Sequence, residues 1–154
     1  MAVMTDHDRT HNLELKSPSS ITKDGNDAGT IADFFAHKNI FVTGGTGFLG
    51  TVLIEALLDA TPDIGTIYLL VRGKKNWDPN QRVRKLLTKP IFEKYDEKTL
   101  AKVKPVVGEL SEENFNFDDE ILQELIENVN IIYHSAATIR FRSPLRTAIK
   151  TNLT

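Results

Sequence analysis

From residue 31 onward, two kinds of apolar pattern alternate along the chain. Residues 39–42 (NIFV), 66–71 (TIYLLV), 104–107 (KPVV) and 129–134 (VNIIYH) are short runs rich in β-branched or aromatic side chains, as expected of strands buried on both faces of a parallel sheet. Between them, apolar residues recur at helical spacing. In residues 47–60, Leu49, Val52, Leu53, Ala56, Leu57 and Ala60 fall on one helical face. Residues 80–95 place Val83, Leu86 and Leu87 likewise, with Pro90 forcing a break. Residues 118–129 open with acids suited to a helix N-terminus and repeat Ile121, Leu122, Leu125 and Ile126. The alternation predicts an α/β fold, an incomplete doubly wound parallel sheet of about four strands with right-handed crossovers. Strand order 3-2-1-4 would leave the fourth strand as an exposed hydrophobic edge.

Before residue 31 the pattern vanishes. Residues 12–30 are rich in Ser, Asp, Asn, Thr and Gly with few large apolar side chains, so they cannot offset the entropy of ordering, and residues 1–30 are expected to form a disordered tail. His7 and His11 have a helical metal-ligand spacing, but no helix or third ligand accompanies them, and no metal site is expected. Ser17-Pro18 is a dipeptide that any such tail offers.

Composition narrows the function classes. The 154 residues carry a net charge of −2, which gives no basic face for nucleic acid. The absence of cysteine removes disulfides, thiolate ligands and a thiol nucleophile, and makes a reducing compartment the default. The first residues lack the apolar stretch of a signal peptide, and no run approaches the roughly 18 apolar residues of a membrane span. A cytosol-facing chain without a membrane segment is expected. The triplet Asn152-Leu153-Thr154 spells a glycosylation acceptor by chance.

Chemistry concentrates at residues 41–50, FVTGGTGFLG. Gly44, Gly47 and Gly50 form G-x-x-G-x-x-G between a strand and a helix. The first glycine lets the chain turn out of the strand. The second admits a pyrophosphate onto the free N–H groups and positive dipole end of the helix, and the third lets that helix pack close on the sheet. No Lys-Ser/Thr follows, so this is no triphosphatase loop. Arg72 stands 22 residues beyond Gly50, where an NAD site usually has an acid that bonds the ribose. A guanidinium there can pair with a 2′-phosphate bidentately, and Lys74 and Lys75 add charge, so NADP(H) is favoured over NAD(H).

Thr43, Gly44, Gly45, Thr46, Gly47, Phe48, Leu49 and Gly50, followed by VRGKK, VVGEL and IIYHSAATIRF in this order, make the chain resemble the extended short-chain dehydrogenase/reductases, and within these the fatty acyl-CoA reductases. The resemblance spans about residues 31–154. It implies a Rossmann-type domain and reduction of a long-chain acyl-CoA to a fatty alcohol, with NADPH as cofactor. It implies further that Glu109 and Leu110 flank the adenine, with Glu109 standing where the family usually has Asp. Ala136 and Ala137 would line the cofactor, Thr138 and Phe141 would face the nicotinamide and acyl region, and Asn152 would order a proton-relay water. The family is often membrane-associated, which points for the full-length enzyme to a peroxisomal or endoplasmic reticulum membrane. His134 and Ser135 have no carboxylate neighbour in sequence and are read as a packed His and an inert Ser.

The superfamily's Tyr-x-x-x-Lys is absent. Four residues after Tyr68, Tyr95 and Tyr133 stand Arg72, Thr99 and Ala137. Residues 31–154 are therefore expected to be the N-terminal part of an NADP(H)-binding domain, cut before its acid/base pair, and inactive on their own. Two alternatives stand beside this: a short nucleotide-binding or interaction protein, and a sugar-nucleotide epimerase or carrier-protein thioester reductase.

Overall fold

The structure, a computed structural model, describes residues 29–73, 78–137 and 144–152. The bulk of the expected tail, residues 1–28, lies outside these. Thr30, placed at the end of that tail, instead caps the first helix, α1 (Ile31–Phe35). Its hydroxyl accepts from the Asp33 N–H at 3.1 Å, while its own N–H donates to Asp33 Oδ2 at 2.7 Å.

The chain continues through β1 (Ile40–Thr43), α2 (Phe48–Ala60), β2 (Ile67–Val71), α3 (Pro79–Leu87), α4 (Glu97–Leu100), β3 (Val103–Val107), α5 (Asp119–Asn128), β4 (Ile131–His134) and α6 (Leu145–Asn152). All four strands are parallel, in the order β3-β2-β1-β4. The register sets Ile40 against both Ile67 and Ile131. Side chains alternate across the sheet, so Ile40, Val42, Ile67, Leu69 and Val71 meet α2 and α3 on one face. Phe41, Tyr68 and Leu70 meet Leu125 of α5 on the other. There Tyr68 donates to Glu124 Oε1 at 3.1 Å, and burial, with Glu124 beside it, pushes the phenol above its ordinary pKa. As expected, Pro90 breaks the third helical pattern: α3 ends at Leu87, and a single 3-10 turn, Pro90–Phe92, follows.

Three expectations about burial are corrected. The core-facing side of α2 consists of Gly50, Thr51, Ile54, Leu57 and Leu58, whereas Leu49 and Val52 are exposed, together with Ala56 and Ala60. The segment is apolar nearly all round, so periodicity cannot choose a face; the contact of Gly50 with Gly45 does. Burial on both faces holds for β1 and β2 but fails for the outer strands. β3 has two buried residues out of five, and β4 alternates half-buried and exposed positions. α5 likewise buries Leu125 alone, with Ile126 in solvent.

Among the described non-glycine residues, two places depart from ordinary backbone. His37 has φ +60°, in the left-handed region. So do three successive residues between β3 and α5: Asn114 at +47°, Phe115 at +56° and Asn116 at +54°. Left-handed conformation costs an L-residue roughly 1–2 kcal/mol, less for Asn. Here Phe115 and Phe117 stack edge-on against Phe41, with centroids 5.6 and 6.1 Å away.

Candidate functional site

The site begins where β1 ends. Gly44 turns the chain with φ +70°, and a Cβ there would lie 2.6 Å from the backbone N of Ala136. Gly47 N–H donates to Gly44 O at 2.9 Å and closes the turn. α2 then starts with Gly47 as its N-cap, with no side-chain cap and no acid in the first turn. Its first N–H groups and positive dipole end are thus left for an external anion. A Cβ on Gly50 would meet Gly45 and, at 2.5 Å, Gly44 O, which explains how the helix start lies so close to the strand end.

A cleft of about 330 Å³ opens at the carboxyl ends of β1, β2 and β4. Gly44, Thr46 and Gly47 form its floor. On the β4 side, residues 135–137 line it, held by a latch to Thr43. Thr43 Oγ1 and His134 Nδ1 are hydrogen-bonded at 2.8 Å, and Ser135 Oγ donates to Thr43 O at 2.8 Å. His134 and Ser135 thus tie β4 to β1, although His134, expected to be packed, is exposed. On the β2 side stand Leu70, Val71 and Arg72, with Leu110 buried beside them. Arg72 Nε lies 3.2 Å from Glu109 Oε1, with both side chains substantially exposed. Arg82, from the first turn of α3, also lines the cleft and donates through Nη1 to Arg72 O at 2.9 Å.

The predicted residues are therefore brought together in large part. Gly44, Thr46, Gly47, Arg72, Leu110, Ala136 and Ala137 share one cleft, and Glu109 touches it through Arg72. Thr43 is buried in the latch, Gly50 packs against the turn, and Phe48 and Leu49 form the exposed first turn of α2. Asn152 is exposed in the last turn of α6 and does not line the cleft. Lys74, Lys75, Thr138 and Phe141 lie outside the described residues. Sequence reasoning missed Arg82 and, though it named Gly45 in the motif, the packing role of that glycine. The Asp78-Pro79 helix start could have flagged Arg82 as a first-turn cation beside the end of β2. A Cβ on Gly45 would run into Leu69, a long-range contact with no local signal. Among the described residues no carboxylate and imidazole cluster could hold a metal, and no helix is long and apolar enough to cross a membrane.

A glycine turn feeding an uncapped helix, with a cleft where the strand order reverses, defines the nucleotide-binding part of a Rossmann-type domain. The cradle fits a dinucleotide, since backbone fills the space at Gly44 and Gly50 while a Cβ on Gly47 would meet only Gly44 O, at 3.2 Å. The chain belongs to the NAD-binding family described as male sterility protein, whose model matches residues 42–154. It is 67% identical to a Drosophila melanogaster protein, CG8303, provisionally named a fatty acyl-CoA reductase, covering 100% of this chain and 30% of that one. It is 42% identical to human fatty acyl-CoA reductase 2, over 81% of this chain and 25% of the relative. Among solved structures, the terminal R domain of the myxalamid PKS-NRPS pathway superposes with TM-score 0.63 at 32% identity, over 76% of this chain and 29% of that one. The reductase domain of a Mycobacterium tuberculosis non-ribosomal peptide synthetase superposes with TM-score 0.57 at 28% identity, over 66% and 24%. The chain thus spans under a third of the length of these curated relatives.

Proposed function

We propose that residues 31–154 are the N-terminal part of an NADP(H)-binding domain, and that the full-length protein reduces long-chain acyl-CoA to fatty alcohol, facing the cytosol. The observation that carries the reading is the cleft at the strand ends, where a glycine turn, a free helix N-terminus and Arg72 face one another. The names of the relatives support acyl-CoA as substrate. In this reading the N–H groups at the start of α2 take the pyrophosphate. Arg72, with Arg82 beside it, takes the 2′-phosphate that distinguishes NADPH from NADH. Leu110 packs on the adenine, and the small side chains of Ala136 and Ala137 let the nicotinamide half pass along the end of β4. When bound, the reduced nicotinamide would supply hydride, and two NADPH are consumed in all: one to take the thioester to the aldehyde with release of CoA thiol, one to take the aldehyde to the alcohol.

No Tyr-x-x-x-Lys occurs in these 154 residues. General acid catalysis of the developing oxyanion contributes about 10²–10⁴-fold, so a polypeptide of these residues alone binds cofactor without turnover. The likeness to reductase domains of peptide-synthetase pathways supports a carrier-bound thioester as the second substrate reading. The test supplies full-length protein with NADPH and either palmitoyl-CoA or a palmitoyl carrier protein, and follows NADPH oxidation and extracted alcohol. Alcohol from the CoA ester is expected. Turnover of the carrier-bound ester alone contradicts the substrate, and aldehyde as sole product contradicts the alcohol.

A further inference from the structure

The left-handed turn at residues 114–116, outside the cleft itself, is built from three successive non-glycine residues at positive φ. Its effect is local and directed. Phe115 O accepts the Glu109 N–H at 2.8 Å, and Glu109 O accepts from Glu112 N–H at 3.1 Å, so the turn folds back over the residues that follow β3. Gly108 has no room for a side chain beneath it, since a Cβ would lie 2.7 Å from Phe115 O. The packing of Phe115 and Phe117 on Phe41 anchors the turn to the sheet. Glu109 is thereby fixed at the mouth of the cleft, with its carboxylate 3.2 Å from Nε of Arg72.

Such an exposed ion pair does little for global stability. Its geometry does something else. A carboxylate at Nε occupies the inner side of the guanidinium and leaves the edge formed by the two terminal amino groups to meet a second anion end-on. Arg72 is a long side chain with several rotamers, and holding one of them before the ligand arrives removes an ordering cost from binding.

We propose that Glu109 is a positioning residue for Arg72 and, through it, a determinant of selectivity for a 2′-phosphorylated dinucleotide. The proposal rests on the reading of the cleft as an NADP(H) site. It differs from a contact between Glu109 and the adenine, because adenine is common to both cofactors and cancels in the ratio of their affinities.

The test is calorimetric titration of the full-length protein with NADPH and NADH, for wild type, Glu109→Gln, Arg72→Ala and the double variant. Glu109→Gln is expected to lower the NADPH-over-NADH preference about fivefold, the effect one exposed ion pair can supply, with NADH affinity within about twofold of wild type. In the Arg72→Ala background the same substitution should leave the ratio unchanged, since the coupling runs through Arg72. A gain in NADPH affinity on Glu109→Gln would overturn the proposal and show the carboxylate competing with the phosphate. Equal weakening of both cofactors would overturn it in favour of an adenine role. A wild type without any preference removes the reading underneath as well, and is recognised before any variant is made.

Discussion

The inner strands β1 and β2 and the outer strand β4 are made of similar residues yet differ in what surrounds them. β1 and β2 are buried along their whole length, with helices on one face and the phenylalanine cluster and α5 on the other. β4 has the same apolar composition, but Ile132 is 66% exposed and, among the described residues, no strand pairs with its outer side. The difference divides the site by function. The end of the cleft proposed for the pyrophosphate and 2′-phosphate rests on the buried inner pair, whereas the end proposed for the nicotinamide rests on an edge held by the Thr43–His134–Ser135 latch.

The sharpest way to break this comparison is at the glycines. Gly50→Val drives carbon into Gly45 and Gly44 O and should cost at least about 3 kcal/mol in urea denaturation. Gly47→Val, with open space on the ligand side, should keep stability within about 1 kcal/mol while abolishing dinucleotide binding. Comparable losses of stability at both positions would make the turn a packing device only. Truncating the core comes next. Ile54→Ala, fully buried under the sheet, should cost about 2–5 kcal/mol, whereas Ile132→Ala on β4 should stay within about 0.5 kcal/mol. Equal costs would mean that β4 is covered in the full-length protein.

Smaller effects lie away from the cleft. His37 holds φ +60° with its N–H bonded to Asp63 O at 2.8 Å, so His37→Gly relieves strain without losing that bond. Stability should rise by about 0.5–1 kcal/mol, read as a higher denaturation midpoint; a drop would show that the imidazole itself contributes. Smallest is a pH effect. Asp33, hydrogen-bonded to Thr30, Asp59, bonded to Lys94, and Asp96, bonded to Thr99, all have carboxyls held below the ordinary 3.8. Their contribution is present above that value and fades as pH falls through the lower folded values. Thermal midpoints followed from pH 7 to pH 3 should therefore decline from this source only below about pH 4.

Much of this was legible along the chain, and the exceptions share a cause. Strand positions, the Pro90 break, the glycine turn and Arg72 are written in local pattern, because turn and helix-start chemistry act over a few residues. The exposed edge of β4 followed from the strand order. The face of α2 was not legible: in a helix apolar on nearly every side, the choice is made by the close approach of Gly50 to Gly45, which itself lies against Leu69, 24 residues further on. The Arg72–Glu109 pair joins residues on two strand ends, and the left-handed turn at 114–116 lies in a segment that reads simply as a polar linker. Such features arise from the sheet bringing distant residues together, which no local spacing encodes.

The central claim is that the inner half of the cleft selects a 2′-phosphorylated dinucleotide through Arg72. Titrating the full-length protein with NADPH and NADH, before and after Arg72→Glu, tests it directly. The account predicts NADPH the tighter ligand by at least about tenfold in the wild type, and the order reversed in the variant by repulsion between carboxylate and phosphate. Two cofactors bound equally well, before and after the change, would contradict it.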